Sequence, residues 1–271
     1  MKLLRWGTAG REKPGMLDAS GVVRDLSGIV DDIAGATLLP EGLERLRKLD
    51  PKTLPAVAGK PPPGPPGGRV ANFLCAGLNY ADHAKEAGVA VPREALLFVK
   101  STTCICGPND DVIIPPGSTK LDWEVELGFV IGKPGAYIKE ENWRDHVAGY
   151  FVANDVSERA FQLEGTGQWV KGKSNPTFGP LGPWLVTADE VPDPQNLKLW
   201  LEVDGHRYQD GTTATMVYGV QYLVSYISRF MALATGDVII TGTPPGVGMG
   251  QKPPVWLKAG NVITLGVEGL G

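Results

Sequence analysis

The sequence predicts a mostly β fold of the α+β class, and three observations carry that prediction. Short β-branched and aromatic runs recur along most of the chain, each bounded by turn residues. Glycine and proline number 36 and 23 of 271 residues, which favours tight turns without reaching the level of a low-complexity chain. Helical periodicity is confined to a few stretches; in residues 217–231, Tyr222-Leu223, Tyr226-Ile227 and Phe230-Met231 repeat along one helix face and read as core packing.

In chain order, residues 1–6 read as a strand, followed by a loop and a helix-like stretch at 39–49. Lys60-Pro61-Pro62-Pro63-Gly64-Pro65-Pro66-Gly67-Gly68 then interrupts regular structure, because proline fixes φ and donates no backbone hydrogen bond. This predicts a small N-terminal accessory domain over 1–70 and a larger domain over 71–271. In the larger part, strands are expected at 72–78, 97–100, 111–114, 124–132, 147–156, 197–203, 237–241 and 261–267, with helices at 80–86 and 217–231. A segment at 87–95 containing Gly88 and Pro92 reads as a lid or an ordinary loop.

Charge and composition exclude several function classes. Twenty-six basic against 30 acidic residues give a net charge of −4, so no basic face is available to neutralise a phosphate backbone, and nucleic acid is not an expected partner. No window approaches the roughly 20 apolar residues that cross a bilayer, and the start Met1-Lys2-Leu3-Leu4-Arg5 lacks the apolar region of a signal peptide; a cytoplasmic location is expected. Cys75, Cys104 and Cys106 sit in apolar surroundings. They read as buried thiols, since Cys104-Ile105-Cys106 is too close for a strain-free disulfide and no matching Cys or His pair suggests zinc.

Chemistry concentrates in Asp122-Trp123-Glu124-Val125-Glu126-Leu127-Gly128. Strand alternation puts Glu124 and Glu126 on one face, and two like charges there raise each other's pKa unless a cation or basic partner lies between them. A third carboxylate, Asp155, ends the apolar run Gly149-Tyr150-Phe151-Val152-Ala153-Asn154. All-oxygen ligation suits a hard divalent ion, with Mg²⁺ or Mn²⁺ preferred and Ca²⁺ also compatible. The spacing of Glu124 and Glu126 fits an exposed edge strand equally well.

Together with these residues, Gly77-Leu78-Asn79-Tyr80-Ala81-Asp82-His83-Ala84-Lys85-Glu86, Asn154-Asp155-Val156-Ser157-Glu158-Arg159 with Gln162, Lys171-Gly172-Lys173-Ser174, Phe178-Gly179-Pro180-Leu181-Gly182-Pro183 and Thr241-Gly242-Thr243-Pro244-Pro245-Gly246-Val247-Gly248 resemble, in order, the motifs of the fumarylacetoacetate hydrolase family. The resemblance runs from about residue 71 to the C-terminus. It implies a mixed β-roll catalytic domain, a homodimer, and a divalent metal held by Glu124, Glu126 and Asp155. It also implies that His83 and Glu86 activate water, that the Lys173 ammonium meets a substrate oxyanion, and that Arg159, Gln162 and Thr243 bind a keto acid. Two departures flank these positions: Ala160 stands where an acidic residue is common, and Lys173-Ser174-Asn175-Pro176-Thr177-Phe178 replaces K-S-F-D-T-F.

Members of that family hydrolyse carbon–carbon bonds of diketo acids, decarboxylate oxaloacetate-like acids or isomerise unsaturated keto diacids. The branch most resembled implies hydrolysis of a 2,4-diketo-3-deoxy sugar acid, a fuconate or rhamnonate, to pyruvate and a hydroxy acid. Ureidoglycolate lyase or isomerase chemistry, and a non-catalytic keto-acid-binding protein, are the alternatives.

Overall fold

The computed structural model describes residues 1–86 and 88–271. Fifteen strands follow in chain order among them: β1 (Lys2–Trp6), β2 (Lys13–Leu17), β3 (Val23–Asp25), β4 (Phe73–Gly77), β5 (Leu96–Lys100), β6 (Ile105–Cys106), β7 (Leu121–Asp122) and β8 (Val125–Ile131). They continue with β9 (Val147–Asn154), β10 (Ser157–Glu158), β11 (Gly179–Thr187), β12 (Lys198–Val203), β13 (His206–Thr212), β14 (Val238–Ile240) and β15 (Ile263–Val267). Five helices interleave: α1 (Pro40–Arg47), α2 (Ala81–Glu86), α3 (Arg159–Leu163), α4 (Val170–Lys173) and α5 (Val220–Ile227). The mostly β, α+β expectation holds.

The main sheet runs β3-β2-β1-β11-β9-β8-β14-β4-β5, with β6 paired to β11, while β13-β12-β15 and β10-β7 form smaller sheets. β8 and β9 lie at its centre and are buried along their whole length, which is why both read as nearly unbroken apolar runs. Glu126 is the exception within β8, a carboxylate only 1% exposed in the middle of the molecule.

Residues 1–70 join this architecture edge to edge. β1 pairs antiparallel with β11 through Lys2↔Val186 and Leu3↔Leu185. Leu3, Met16, Leu26 and Ile33 belong to the same apolar cluster as Phe129 and Ile239, so the segments on either side of the proline-rich stretch share one sheet and one core.

Two sequence expectations need correction. Residues 111–114 form no strand: Ile113 is 58% exposed and its N–H bonds Thr177 Oγ1 at 2.8 Å, and Pro115-Pro116 remove the donors that would extend a ladder. β11 was unforeseen, because Pro180 and Pro183 mask it. It is tolerated beside β9 because their register slips between Gly182 and Val186, so Pro183 lies where ladder bonds are absent. The helix expected over 217–231 contracts to α5, in which Tyr222 and Tyr226 stack in line with Tyr218 just before it, ring centroids 4.8 and 5.2 Å apart; Phe230 and Met231, expected in the core, lie beyond the helix and are exposed.

Candidate active site

The register of the central strands assembles the carboxylates. Glu126 lies opposite Ala153 and Val125 opposite Asn154 in the β8–β9 ladder, and the Asp155 N–H continues it to Glu124 O at 2.9 Å. Glu124 and Asp155 therefore face each other at the strand ends, with Glu126 one pleat further in. One oxygen from each of the three can be chosen so that all lie within 4.8 Å of one another, and all three side chains are buried.

Three cations border this group. Lys173 Nζ donates to Glu124 Oε2 at 2.8 Å and to Asp155 Oδ2 at 2.6 Å. Lys100 Nζ donates to Asp155 Oδ1 at 2.5 Å. Arg159 forks between Glu124 Oε1 at 2.6 Å and Asp122 Oδ2 at 2.8 Å, and its Nη1 donates to Gln162 Oε1 at 3.1 Å. Asp122 in turn accepts the N–H groups of Gly248 and Met249.

Charge is distributed unevenly. Burial raises the Glu124 pKa, but Lys173 and Arg159 outweigh it and hold the carboxyl below its usual range. Glu126 has no cation in hydrogen-bond contact: burial, then Asp155 and Glu124, push it well above the usual carboxylate range, against the charge of Lys173 and one N–H from Gly242 at 2.7 Å. For Lys173, burial favours loss of the proton, yet Asp155 and Glu124 prevail and raise its pKa, so the ammonium is retained.

His83 and Glu86 share one face of α2, with His83 Nδ1 3.1 Å from Glu86 Oε2. A carboxylate only accepts, so Nδ1 carries a proton, and in the neutral imidazole the lone pair is on Nε2. Glu86 Oε1 accepts the Gly246 N–H at 2.9 Å. Only glycine fits there: φ is +106°, and a Cβ would stand 2.0 Å from Tyr208 O. α2 is anchored by Asn79, whose amide donates to Thr241 O and Tyr218 O and accepts from Tyr218 N, holding the preceding Leu78 at the unusual φ of +51°.

These groups line a cavity of about 150 Å³. His83, Glu124, Glu126, Asp155, Arg159, Gln162, Lys173 and Thr243 all reach it, whereas Glu86 stands behind His83. The Thr243 hydroxyl is already engaged, donating to Val125 O and accepting from Gln209 Nε2.

A family model described as fumarylacetoacetate (FAA) hydrolase C-terminal matches residues 72–271. The chain belongs to the fumarylacetoacetate hydrolase family. It is an enzyme of that family, 63% identical over 272 residues to a Burkholderia multivorans protein whose name carries the word hydrolase and no substrate, with 100% of this chain and 96% of the relative aligned. The structure of fumarylacetoacetate hydrolase from Exiguobacterium antarcticum superposes with a TM-score of 0.88 at 36% identity, covering 100% of this chain and 96% of that one. Maleylpyruvate hydrolase from Sphingobium sp. SYK-6, solved with manganese(II) and pyruvate, gives a TM-score of 0.82 at 25% identity with the same coverage.

The residues of this family member fit a hard divalent cation. The donor set is all oxygen, and four buried carboxyls, including Asp122, face three buried cations, so one carboxyl lacks a matching cation. Glu126, with its single hydrogen bond and raised pKa, is that carboxyl: without a metal its proton is favoured, and a divalent cation would take the proton's place.

Three participants were not singled out from sequence. Lys100 ends the apolar run of the edge strand β5 and is 2% exposed, and a lysine closing an apolar run is the pattern that could have flagged it. Asp122 directly precedes Trp123-Glu124 and orients Arg159. Gln209 holds Thr243 from β13, a strand whose sequence His206-Arg207-Tyr208-Gln209-Asp210 is too polar to announce a buried residue. Lys173 closes the short helix α4. Of the two departures, the Ala160 N–H caps α3 through Glu158, and Asn175 Nδ2 donates to Lys171 O. In the segment considered as a lid, Ala87 lies outside the described residues, Val89 lines the cavity, and Pro92 O accepts the Tyr218 hydroxyl at 2.8 Å.

Proposed function

We propose that this protein is a divalent-metal-dependent hydrolase that cleaves the carbon–carbon bond between C3 and C4 of a 2,4-diketo acid, releasing pyruvate and a second acid. The observation that carries the reading is the convergence of Lys173, the three carboxylates and His83 on one small cavity. The manganese and pyruvate bound by the Sphingobium maleylpyruvate hydrolase support it by similarity.

Glu124, Glu126 and Asp155 would hold Mg²⁺ or Mn²⁺, which would supply positive charge to the keto-acid end of the substrate. Arg159 and Gln162 orient the acid from the adjoining wall. His83 Nε2 takes a proton from water while Glu86 holds the imidazole in the tautomer that permits it. The hydroxyl oxygen bonds to C4, and the Lys173 ammonium stabilises the negative charge that develops on the C4 oxygen. The C3–C4 bond then breaks. Its electron pair passes to C3 as the enolate of pyruvate, which takes up a proton, and C4 leaves as a carboxylic acid.

The 2,4-diketo-3-deoxy sugar acids implied by the sequence resemblance form one class of such substrates; acylpyruvates form another. The test is pyruvate release from a panel of both, with Mg²⁺ or Mn²⁺ present and after chelation. Metal-dependent release with uptake of one water per turnover supports the reading. Turnover that gives an isomer or carbon dioxide in place of pyruvate replaces it with isomerase or decarboxylase chemistry.

A further inference from the structure

The cavity is lined by both charged and apolar side chains. Its charged side chains converge on the carboxylate cluster, and the two permanent cations among the described lining residues, Arg159 and Lys173, are already paired with Asp122, Glu124 and Asp155. Immediately beyond Lys173 the wall changes character. Lys173 Nζ sits over the Phe98 ring at 5.3 Å from its centroid, and Phe98 meets Trp169 edge-to-face at 5.3 Å. The Trp169 ring lies so close over Gly77 that a Cβ there would fall 2.6 Å from Cζ3, so the indole is seated against the β4 backbone. Val89 and Leu163, 46% and 45% exposed, also line the cavity and leave apolar surface open at it. Such surface gains most when hydrocarbon covers it.

Resting on the 2,4-diketo acid reading above, we infer that the acyl end of the substrate is an unsubstituted hydrocarbon group, seated against Phe98, Trp169, Leu163 and Val89. A second carboxylate at that end would need a cation. Hydroxyl groups would have to give up water against apolar carbon without compensating hydrogen bonds, which disfavours a polyhydroxylated sugar acid.

Unreactive 2-oxo acids separate this inference from the hydrolase reading, since they bind without needing to be cleaved. The experiment is calorimetric titration of the Mn²⁺-loaded protein with pyruvate, 2-oxobutanoate, 2-oxohexanoate, 2-oxoglutarate and 2-oxo-3-deoxygluconate. Affinity is expected to rise up to about fourfold per added methylene until the wall is covered. 2-Oxohexanoate should bind at least tenfold more tightly than 2-oxoglutarate or the deoxygluconate. Equal or tighter binding of either polar acid overturns the inference. Trp169→Ala should reduce the 2-oxohexanoate-to-pyruvate affinity ratio at least fivefold, and an unchanged ratio also overturns it. A hydrocarbon preference without pyruvate release from hexanoylpyruvate supports the pocket assignment and overturns only the hydrolase reading.

Discussion

Lys100 donates to Asp155 Oδ1 at 2.5 Å, with both side chains wholly shielded from solvent. Lys173 holds the other Asp155 oxygen, so each carboxylate oxygen faces one lysine. Desolvated ions of this kind are tolerated only as a matched set, and removing one strands the others.

Lys100→Met is accordingly expected to destabilise the protein by about 3 to 5 kcal/mol, the usual result of breaking a buried pair from one side. Chemical denaturation of the metal-free protein measures it, and a loss below about 1 kcal/mol would show that Asp155 does not depend on Lys100.

Glu126→Gln should behave in the opposite sense. The amide retains an oxygen for the Gly242 N–H while removing the carboxylate that burial, Asp155 and Glu124 all disfavour. Metal-free variant is expected to be at least as stable as wild type. At a metal concentration 100 times Kd, wild type should gain about 2.7 kcal/mol, a gain the variant should lose. Thermal melts with and without Mn²⁺ read both quantities.

His83→Ala is expected to lower pyruvate release by roughly 10²- to 10⁴-fold, the range for removing a general base. Because His83 is not among the three carboxylate ligands, Mn²⁺ should still raise the melting temperature. Undiminished turnover would remove His83 from the mechanism.

Gly246→Ala tests the Gly-rich loop as a support for the dyad. With φ at +106° and Tyr208 O 2.0 Å from the new Cβ, the loop must move and withdraw its N–H from Glu86. A stability loss above about 1 kcal/mol is expected from the positive φ alone. Turnover should fall further than metal affinity, and a structure with Glu86 still on the Gly246 N–H would contradict the assignment.

The cysteines set a pH dependence. Burial pushes the Cys104 thiol up to about 11 and Cys106 up to about 12, from an ordinary value of 9.0. Folded values above unfolded ones mean that this contribution is intact below pH 9 and is lost as pH rises from 9 through 11 and 12, because unfolded thiols ionise first. Iodoacetamide at pH 8 should leave both thiols unmodified in the native protein and alkylate them in denaturant.

Much of the site was legible locally. Glu124 and Glu126 share a face because strands alternate, and His83 with Glu86 is a one-turn neighbour pair; both facts need only sequence spacing. The family motifs likewise placed Asp155, Arg159, Gln162, Lys173 and Thr243, all of which line the cavity. β11 was not legible, since its prolines argue against a strand until β1, β6 and β9 are seen to pair around them. Nor was the employment of the glycine-loop amides, which serve Glu86, Glu126 and Asp122.

Sequence by itself determined the mostly β class, the shared strand face of Glu124 and Glu126 and the one-turn spacing of His83 and Glu86, because strand and helix periods act over a few residues. Tertiary structure alone decided which cation balances which carboxylate, that Glu126 is the carboxyl without a matching cation, and that the cavity has an apolar wall at Phe98 and Trp169. Those outcomes depend on burial and on distances between segments far apart in the chain. Coulomb and desolvation energies follow separation in space, which spacing along a sequence does not encode.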